Sequence, residues 1–317
     1  MRDTVIQNLA LERDAVRCGS RVIRPKEREG VTKLEDAVVV VTGGATGIGL
    51  ALVREAARRG ARVMIVDVDD AGEAVAALRR EGAIVESTIA DVTDMADVRR
   101  ALAETVDRFG GVNIVCNNAG TGVFGRLQEV EPEDAHRVLR LNVEGAYHVI
   151  HAFAPALQAS AAAGRPAYLL NTGSEHSLGV PPFVEPLSIY TVSKYAVLGL
   201  TMTAHRDLGP AGIGVSMLAP GWTLTENVRG LIDADPKAAA VILPYAQEPA
   251  EVAARAFDGL LAGTRVIATN PHSRAFAMEH ALDLMSDIQQ LPVIDAPDGH
   301  AHDGSGDVSA CPVAGGR

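Results

Sequence analysis

Cysteine is scarce: Cys18, Cys116 and Cys311 are the only three in 317 residues, far apart and odd in number. That spacing excludes a disulfide framework and a CxxC metal pair, and it fits a reducing cytosol. Cys116 ends the apolar run from Val112 and reads as a small buried hydrophobe. Basic residues are also short, 29 against 40 acidic, which leaves a formal net charge of -11. Such a balance repels phosphate backbones and argues against a nucleic-acid partner. Apolar runs of about 18 or more residues are missing, so no membrane helix is expected. The first thirty residues are densely charged and lack the apolar core of a secretion signal. A cytoplasmic protein is the expectation.

Hydrophobic residues make up 47% and charged residues 22%, enough for a sizeable core. Short β-branched runs alternate with helical stretches along most of the chain. Val38–Val41, 62–67, 83–90, 112–116, 167–171, 213–218 and 265–268 read as strands. Between them, 50–59, 71–80, 94–109, a long 131–160, 188–208 and 251–261 read as helices, with a last helix at 275–287. This alternation implies right-handed βαβ crossovers and a doubly wound parallel α/β sheet, with helices on both faces. One domain is expected over residues 34–290. Within it, 224–250 is weakly periodic and carries Pro236, Pro244 and Pro249, as a substrate lid would. Residues 1–33 are expected to be an extension, partly disordered, whose role the sequence leaves unexplained. The Gly-, Asp- and Ser-rich residues 291–317 are expected to be a disordered tail.

The turn Thr42-Gly43-Gly44-Ala45-Thr46-Gly47-Ile48-Gly49 joins the first strand to a helix N-terminus. Glycines there let the backbone approach an anion, and the free N–H groups of the helix favour pyrophosphate. The spacing is GxxxGxG, not the commonest GxGxxG. A plain tight turn is the bland alternative. Asp67 closes the second strand, where a carboxylate accepts from a ribose diol and repels a 2′-phosphate. Thr46 and Val68 supply no cation for that phosphate, so NAD is favoured over NADP. Asp67 could instead be only a solvated strand end.

Tyr190 and Lys194 are four apart and share one helix face. A free phenol has a pKa of about 10, and lowering it three units takes about 4 kcal/mol. A cation about 5 Å away at an effective dielectric of about 20 supplies about 3 kcal/mol. Lys194 could therefore make Tyr190 a usable proton carrier, helped by an oxidised nicotinamide.

These pieces fall in one order: Thr42-Gly43-x-x-x-Gly47-Ile48-Gly49, Asp91-Val92, Asn117-Asn118-Ala119-Gly120, Asn142, Ser174, Tyr190-x-x-x-Lys194 and Pro220-Gly221-x-Thr223-x-Thr225. Together they resemble the single-domain branch of the short-chain dehydrogenase/reductase family, across residues 34 to 290. The resemblance implies that Asp91 and Val92 flank an adenine and Asn117 touches the cofactor. It implies that Asn118 ties the fourth strand to the sheet, although a purely structural role is open for either Asn. Thr223 and Thr225 would hold the nicotinamide carboxamide, the family having an aliphatic residue where Thr223 stands, and Pro220 and Gly221 would also bind the cofactor. Asn142 would anchor a water linked to the lysine. The helices 131–160 and 188–208 would pack between subunits of a homodimer or homotetramer.

The implied reaction is hydride transfer between NAD(H) and a secondary alcohol or ketone. Tyr190 exchanges the hydroxyl proton, Ser174 binds the substrate oxygen and Lys194 holds the nicotinamide ribose. The family spacing to the tyrosine would choose Ser177. The family signature Asn-x-Ser-Ser aligns instead with Asn171-Thr172-Gly173-Ser174, which selects Ser174 and leaves Ser177 as the alternative. The loop 175–186, with Leu178, Pro181, Pro182 and Phe183, is expected to wall the substrate pocket together with Phe124 and Trp222. Those walls suit a moderately apolar alcohol, whether cyclic, terpenoid or aromatic. His176 reads as a solvent-facing loop residue, and His148 and His151 as helix-surface residues. No metal is expected. An NADP-dependent carbonyl reductase and a non-catalytic NAD-binding sensor are the competing readings.

Overall fold

The computed structural model describes residues 34–292. Seven parallel strands form one sheet in the order β3-β2-β1-β4-β5-β6-β7. They are β1 (Val38–Thr42), β2 (Arg62–Asp67), β3 (Ile84–Ile89), β4 (Ile114–Asn117), β5 (Tyr168–Thr172), β6 (Gly214–Ala219) and β7 (Val266–Ala268). The helices are α1 (Gly47–Arg58), α2 (Gly72–Arg80), α3 (Met95–Phe109), α4 (Pro132–Leu139), α5 (Ala146–Ala162), α6 (Ser188–Leu208), α7 (Glu226–Ala234), α8 (Pro236–Ile242), α9 (Pro249–Leu261) and α10 (Ser273–Ile288). The expected doubly wound α/β fold is what the chain adopts. Among the described residues, no helix is long and apolar enough to cross a membrane.

Strand β1 shows why its sequence is continuously apolar. Val39 and Val41 enter one core with Val63, Ile65 and Phe257. Val40 enters the other with Met64, Val115 and Phe153. A central parallel strand is covered on both faces, so alternation between polar and apolar residues disappears. Burying each such valine contributes about 2 kcal/mol. Neighbouring β1 and β4 run to opposite halves of the strand order, which opens a crevice beyond their carboxyl ends.

The long helix expected over 131–160 is present, but a π-helical stretch, Arg140–Gly145, interrupts it between α4 and α5. Apolar periodicity cannot reveal one such widened turn. The stretch carries Asn142. In 224–250 the chain forms α7 and α8, where weak periodicity had suggested only a loose segment. The expected extension 1–33 and the tail beyond 292 lie outside the described residues.

Candidate active site

A cleft of about 1030 Å³ lies along the carboxyl ends of the strands. Its nucleotide end is built by the turn after β1. Gly43 and Gly47 have φ of +63° and +56°, conformations that favour glycine. A Cβ on Gly49 would sit 1.8 Å from the Gly43 carbonyl oxygen, so only glycine closes this turn. Thr46 occupies the N-cap of α1 without a side-chain capping bond. The Gly47 N–H instead donates to the Glu226 carboxylate at 3.0 Å. An anion therefore already sits on this helix N-terminus, supplied by the first residue of α7.

Asp67 ends β2 with its carboxylate on the cleft wall, accepting from Ala45 N–H at 2.9 Å and Asp69 N–H at 3.2 Å. Ile48, Asp91, Val92, Pro220, Gly221, Thr223 and Thr225 line the same cleft. Thr225 caps α7, while Thr223 donates to the Gly221 carbonyl at 3.0 Å. Gly221 itself lies tight against the Asn270 side chain, where a Cβ would stand 2.2 Å from Nδ2.

At the other end, Ser174, Tyr190 and Lys194 share one wall. Lys194 Nζ lies 5.4 Å from the Tyr190 ring centroid and donates to the Thr172 carbonyl at 2.9 Å. Ser174 stands within reach of the Tyr190 phenol and works to lower its pKa, while the serine hydroxyl donates to the Pro220 carbonyl at 3.5 Å. Ser177 is turned away: its hydroxyl donates to the Lys194 carbonyl at 2.8 Å and accepts from Ser174 N–H. Gly173 permits this packing, since a Cβ there would meet Met217 Sδ at 2.7 Å and Ser177 Oγ at 2.8 Å. Geometry thus brings Ser174 to the phenol and makes Ser177 a brace for the turn.

The sequence profile of the short chain dehydrogenase family matches residues 37–235. This chain belongs to the short-chain dehydrogenase/reductase family. It is 37% identical over 203 residues to 1-deoxy-11-beta-hydroxypentalenate dehydrogenase of Streptomyces avermitilis, covering 63% of this chain and 73% of the relative. An A-factor type gamma-butyrolactone 1'-reductase of Streptomyces virginiae is 34% identical over 236 residues, covering 72% and 88%. Among solved structures, a short chain dehydrogenase/reductase from Burkholderia phymatum in complex with NAD has a TM-score of 0.72 at 28% identity. That match covers 84% of this chain and 99% of the other. The chain is an oxidoreductase of hydroxyl and keto substrates, from a family that binds a nicotinamide cofactor.

Within this dehydrogenase, two expected site residues stand behind the cleft wall. Asn117 ends β4 in register with Asn171, and its Nδ2 donates to Asn171 Oδ1 and the Ala146 carbonyl, both at 3.0 Å. It is 5% exposed and faces α5, so strand alternation takes it away from the cofactor cleft. Asn118 takes that place. It lines the cleft and its Nδ2 donates to the Thr42 carbonyl at 3.0 Å. Asn142 is also buried. Its amide accepts from Thr121 N–H and donates to the Thr121 carbonyl and Ser193 Oγ, at 2.8 to 2.9 Å. Both N–H donors of the amide are thereby engaged by protein. Gly120 separates it from Lys194: a Cβ on Gly120 would lie 3.1 Å from Asn142 Oδ1 and 3.5 Å from Lys194 Nζ.

His176 does not face solvent. It is 5% exposed, lines the cleft, and sets its ring edge-on to Tyr190. The one-turn 3₁₀ segment Glu175–Ser177 folds it inward, a local turn the sequence does not announce. Glu175, unassigned in the sequence, is 2% exposed on the same wall. The loop after them behaves otherwise than expected. Phe183 stacks on Tyr245, centroids 4.4 Å apart, and meets Phe276 of α10 edge-on. Leu178, Pro181, Pro182 and Phe183 thus leave the cleft to Phe124, Leu187 and Trp222. His148 is more than a surface residue, since its Nδ1 donates to the Val92 carbonyl at 3.0 Å.

Burial governs the electrostatics. The Tyr190 phenol is pushed up to about 12, first by desolvation and also by the Glu175 carboxylate, against the Ser174 hydrogen bond. Burial brings Lys194 down to about 8. Desolvation of both groups opposes the lowering of the phenol pKa expected from Lys194 and an oxidised nicotinamide. His176 is lowered to about 4, by burial and then by Lys194. Glu175 is raised by burial, with the Ser273 hydrogen bond opposing. Cys116 is buried and its thiol pushed up to about 12, which makes it unreactive.

Proposed function

We propose that this chain transfers hydride between NAD(H) and a moderately apolar secondary alcohol or its ketone, with Tyr190 as the acid/base. The observation that carries the reading is the convergence of Ser174, Tyr190 and Lys194 on one cleft wall whose far end is the glycine turn and Asp67. Cyclic, terpenoid and aromatic skeletons suit walls made by Phe124, Leu187 and Trp222.

The residues present fit a dinucleotide. The glycine turn holds an anion on the Gly47 N–H, and the Trp222 indole N–H is buried without an acceptor beside Gly221 and Thr223. Gly43, Thr46, Gly47, Ile48 and Gly49 would hold the pyrophosphate, and Asp67 the adenosine ribose diol. Asp91, Val92 and Asn118 would line the adenine and the adjoining ribose. Pro220, Gly221, Thr223 and Thr225 would hold the carboxamide. Bound NAD+ supplies a hydride acceptor and a positive charge beside the phenol. During oxidation Tyr190 takes the hydroxyl proton, and during reduction it returns it. Ser174 hydrogen-bonds the substrate oxygen as negative charge develops there. Lys194 keeps a cation beside the phenol and binds the nicotinamide ribose. Asn142 acts as a positioning residue, tying Thr121 to Ser193 behind the lysine.

The carboxylate of Asp67 favours NAD over NADP, since no lysine or arginine stands at 46 or 68. We take the enzyme to act in the cytoplasm as a homodimer or homotetramer through α5 and α6. Exposed Tyr147, Val192 and Met202 on those helices support that arrangement. The test is a panel of cyclic, terpenoid and aryl alcohols with NAD+, read by absorbance of the reduced nicotinamide. Turnover of at least one class is expected. Tight NAD binding with no turnover on any alcohol would favour the sensor reading instead.

A further inference from the structure

The wall that carries Tyr190 presents two polar atoms that hydride transfer does not use. The first belongs to His176. Its Nδ1 lies 2.7 Å from Thr191 Oγ1, and that hydroxyl donates its single proton to the Leu187 carbonyl at 2.9 Å. The Leu187 carbonyl has no proton to give, so the arrangement that satisfies all three groups runs from Nδ1–H to the Thr191 hydroxyl and on to that carbonyl, which assigns the hydrogen to Nδ1 and a lone pair to Nε2. Among the described residues Nε2 has no hydrogen-bond partner, yet it is not one of the atoms sealed from access. The second belongs to Glu175. Its Oε2 accepts from Ser273 Oγ at 2.6 Å, while Oε1 has no partner among the described residues and is not sealed either. Both residues line the cleft, and the imidazole and phenol centroids are 5.4 Å apart.

We propose that His176 and Glu175 form a second oxygen-binding point beside Tyr190, which takes a hydroxyl one or two carbons from the reacting carbon. The preferred substrates are then diols or the matching hydroxy ketones on a cyclic, moderately apolar skeleton. The one proton of that hydroxyl is accepted by Nε2 or by Oε1, according to which of the two the carbon skeleton brings it to. A carboxylate at this position meets a lone pair and an acidic side chain and is disfavoured. Oxidation removes one hydride and one proton from the carbon and oxygen beside Tyr190, leaving the second hydroxyl intact as a hydroxy ketone. The inference deepens the proposed function and rests on it. The position of His176 is held by its helix partner Thr191 and by the edge-on contact with Tyr190, so it is pre-organised to discriminate.

The test compares kcat/KM for cyclohexane-1,2-diol, cyclohexane-1,3-diol, cyclohexanol and 3-hydroxycyclohexanecarboxylate with NAD+. At least one diol is expected to exceed cyclohexanol by about tenfold or more, with the hydroxy acid below the diol. In His176→Phe, which keeps an aromatic ring against Tyr190, the diol-to-cyclohexanol ratio is expected to fall by about tenfold. It is expected to fall in the same direction in Glu175→Gln, which retains an acceptor for Ser273. Binding of the same compounds to NADH-loaded Tyr190→Phe protein, read by quenching of NADH fluorescence, needs no turnover. A wild-type ratio near one, a ratio unchanged in both variants, or a preference for the hydroxy acid overturns the subsite and leaves the dehydrogenase reading standing. Preferential diol binding without turnover of any alcohol by the wild type supports the subsite and overturns the dehydrogenase reading.

Discussion

The imidazole of His176 stands edge-on to the ring of Tyr190, with centroids 5.4 Å apart and planes at 77°. Held there beside Lys194, His176 resists protonation down to about pH 4, whereas in the unfolded chain it titrates near 6.5. Its folded pKa is depressed, so the unfolded state binds more protons between those values. Its contribution to stability is complete above about pH 6.5 and is lost as pH falls toward 4, by up to about 3 kcal/mol. Glu175 has a raised folded pKa and works the other way, stabilising most below its unfolded value of 4.5. Denaturant unfolding of wild type and His176→Phe between pH 7 and 4 separates the two. The wild type should lose more stability than the variant over that range, and parallel curves would refute a buried neutral His176.

Glu226 occupies the N–H of Gly47, where a pyrophosphate oxygen would bind. Cofactor entry must displace this carboxylate or tolerate its charge. Removing the charge in Glu226→Gln should tighten NAD binding about three- to tenfold, in keeping with helix-terminus charge effects of 0.3–1 kcal/mol and more when partly buried. Calorimetric titration at low ionic strength checks this. Weaker binding by the variant would show that Glu226 supports the cofactor rather than competing with it.

Asp67 already accepts two backbone N–H bonds, which fixes its carboxylate at the end of β2. On the proposed reading, a rigid anion there would discriminate against a 2′-phosphate by repulsion and by loss of a ribose contact. Asp67→Ser should shift the ratio of NAD to NADP dissociation constants toward NADP by at least about tenfold. A wild-type protein that binds NADP more tightly than NAD would remove Asp67 as the selector.

The strands, the order of the helices and the glycine turn were legible because each depends on local pattern. Val38–Val41 could be read as a buried strand without knowing its partners. The Tyr190 and Lys194 pair followed from helical spacing alone. What escaped the sequence depends on contacts distant along the chain. Asn117 and Asn118 are neighbours, and only the register of β4 with β5 turns Asn117 toward α5. Glu175 and His176 read as loop residues until Ser273 and Thr191 supply partners for them. Phe183 could be assigned to the pocket only by ignoring α10, whose Phe276 captures it. The burial that raises the phenol pKa escaped the sequence for a similar reason, since desolvation is a property of packing that spacing does not report.

Tyr190→Phe tests the account most directly, with wild type and variant compared in NAD binding and in turnover of the best alcohol from the panel. The variant loses the only phenolic hydroxyl on the cleft wall among the described residues, while its ring keeps the contacts with His176 and Lys194. Loss of a positioned acid/base lowers kcat by about 10²- to 10⁴-fold. The expected result is a drop of at least that size with an NAD dissociation constant within about threefold of wild type. A variant that kept near wild-type kcat would contradict the assignment of Tyr190 as the proton carrier.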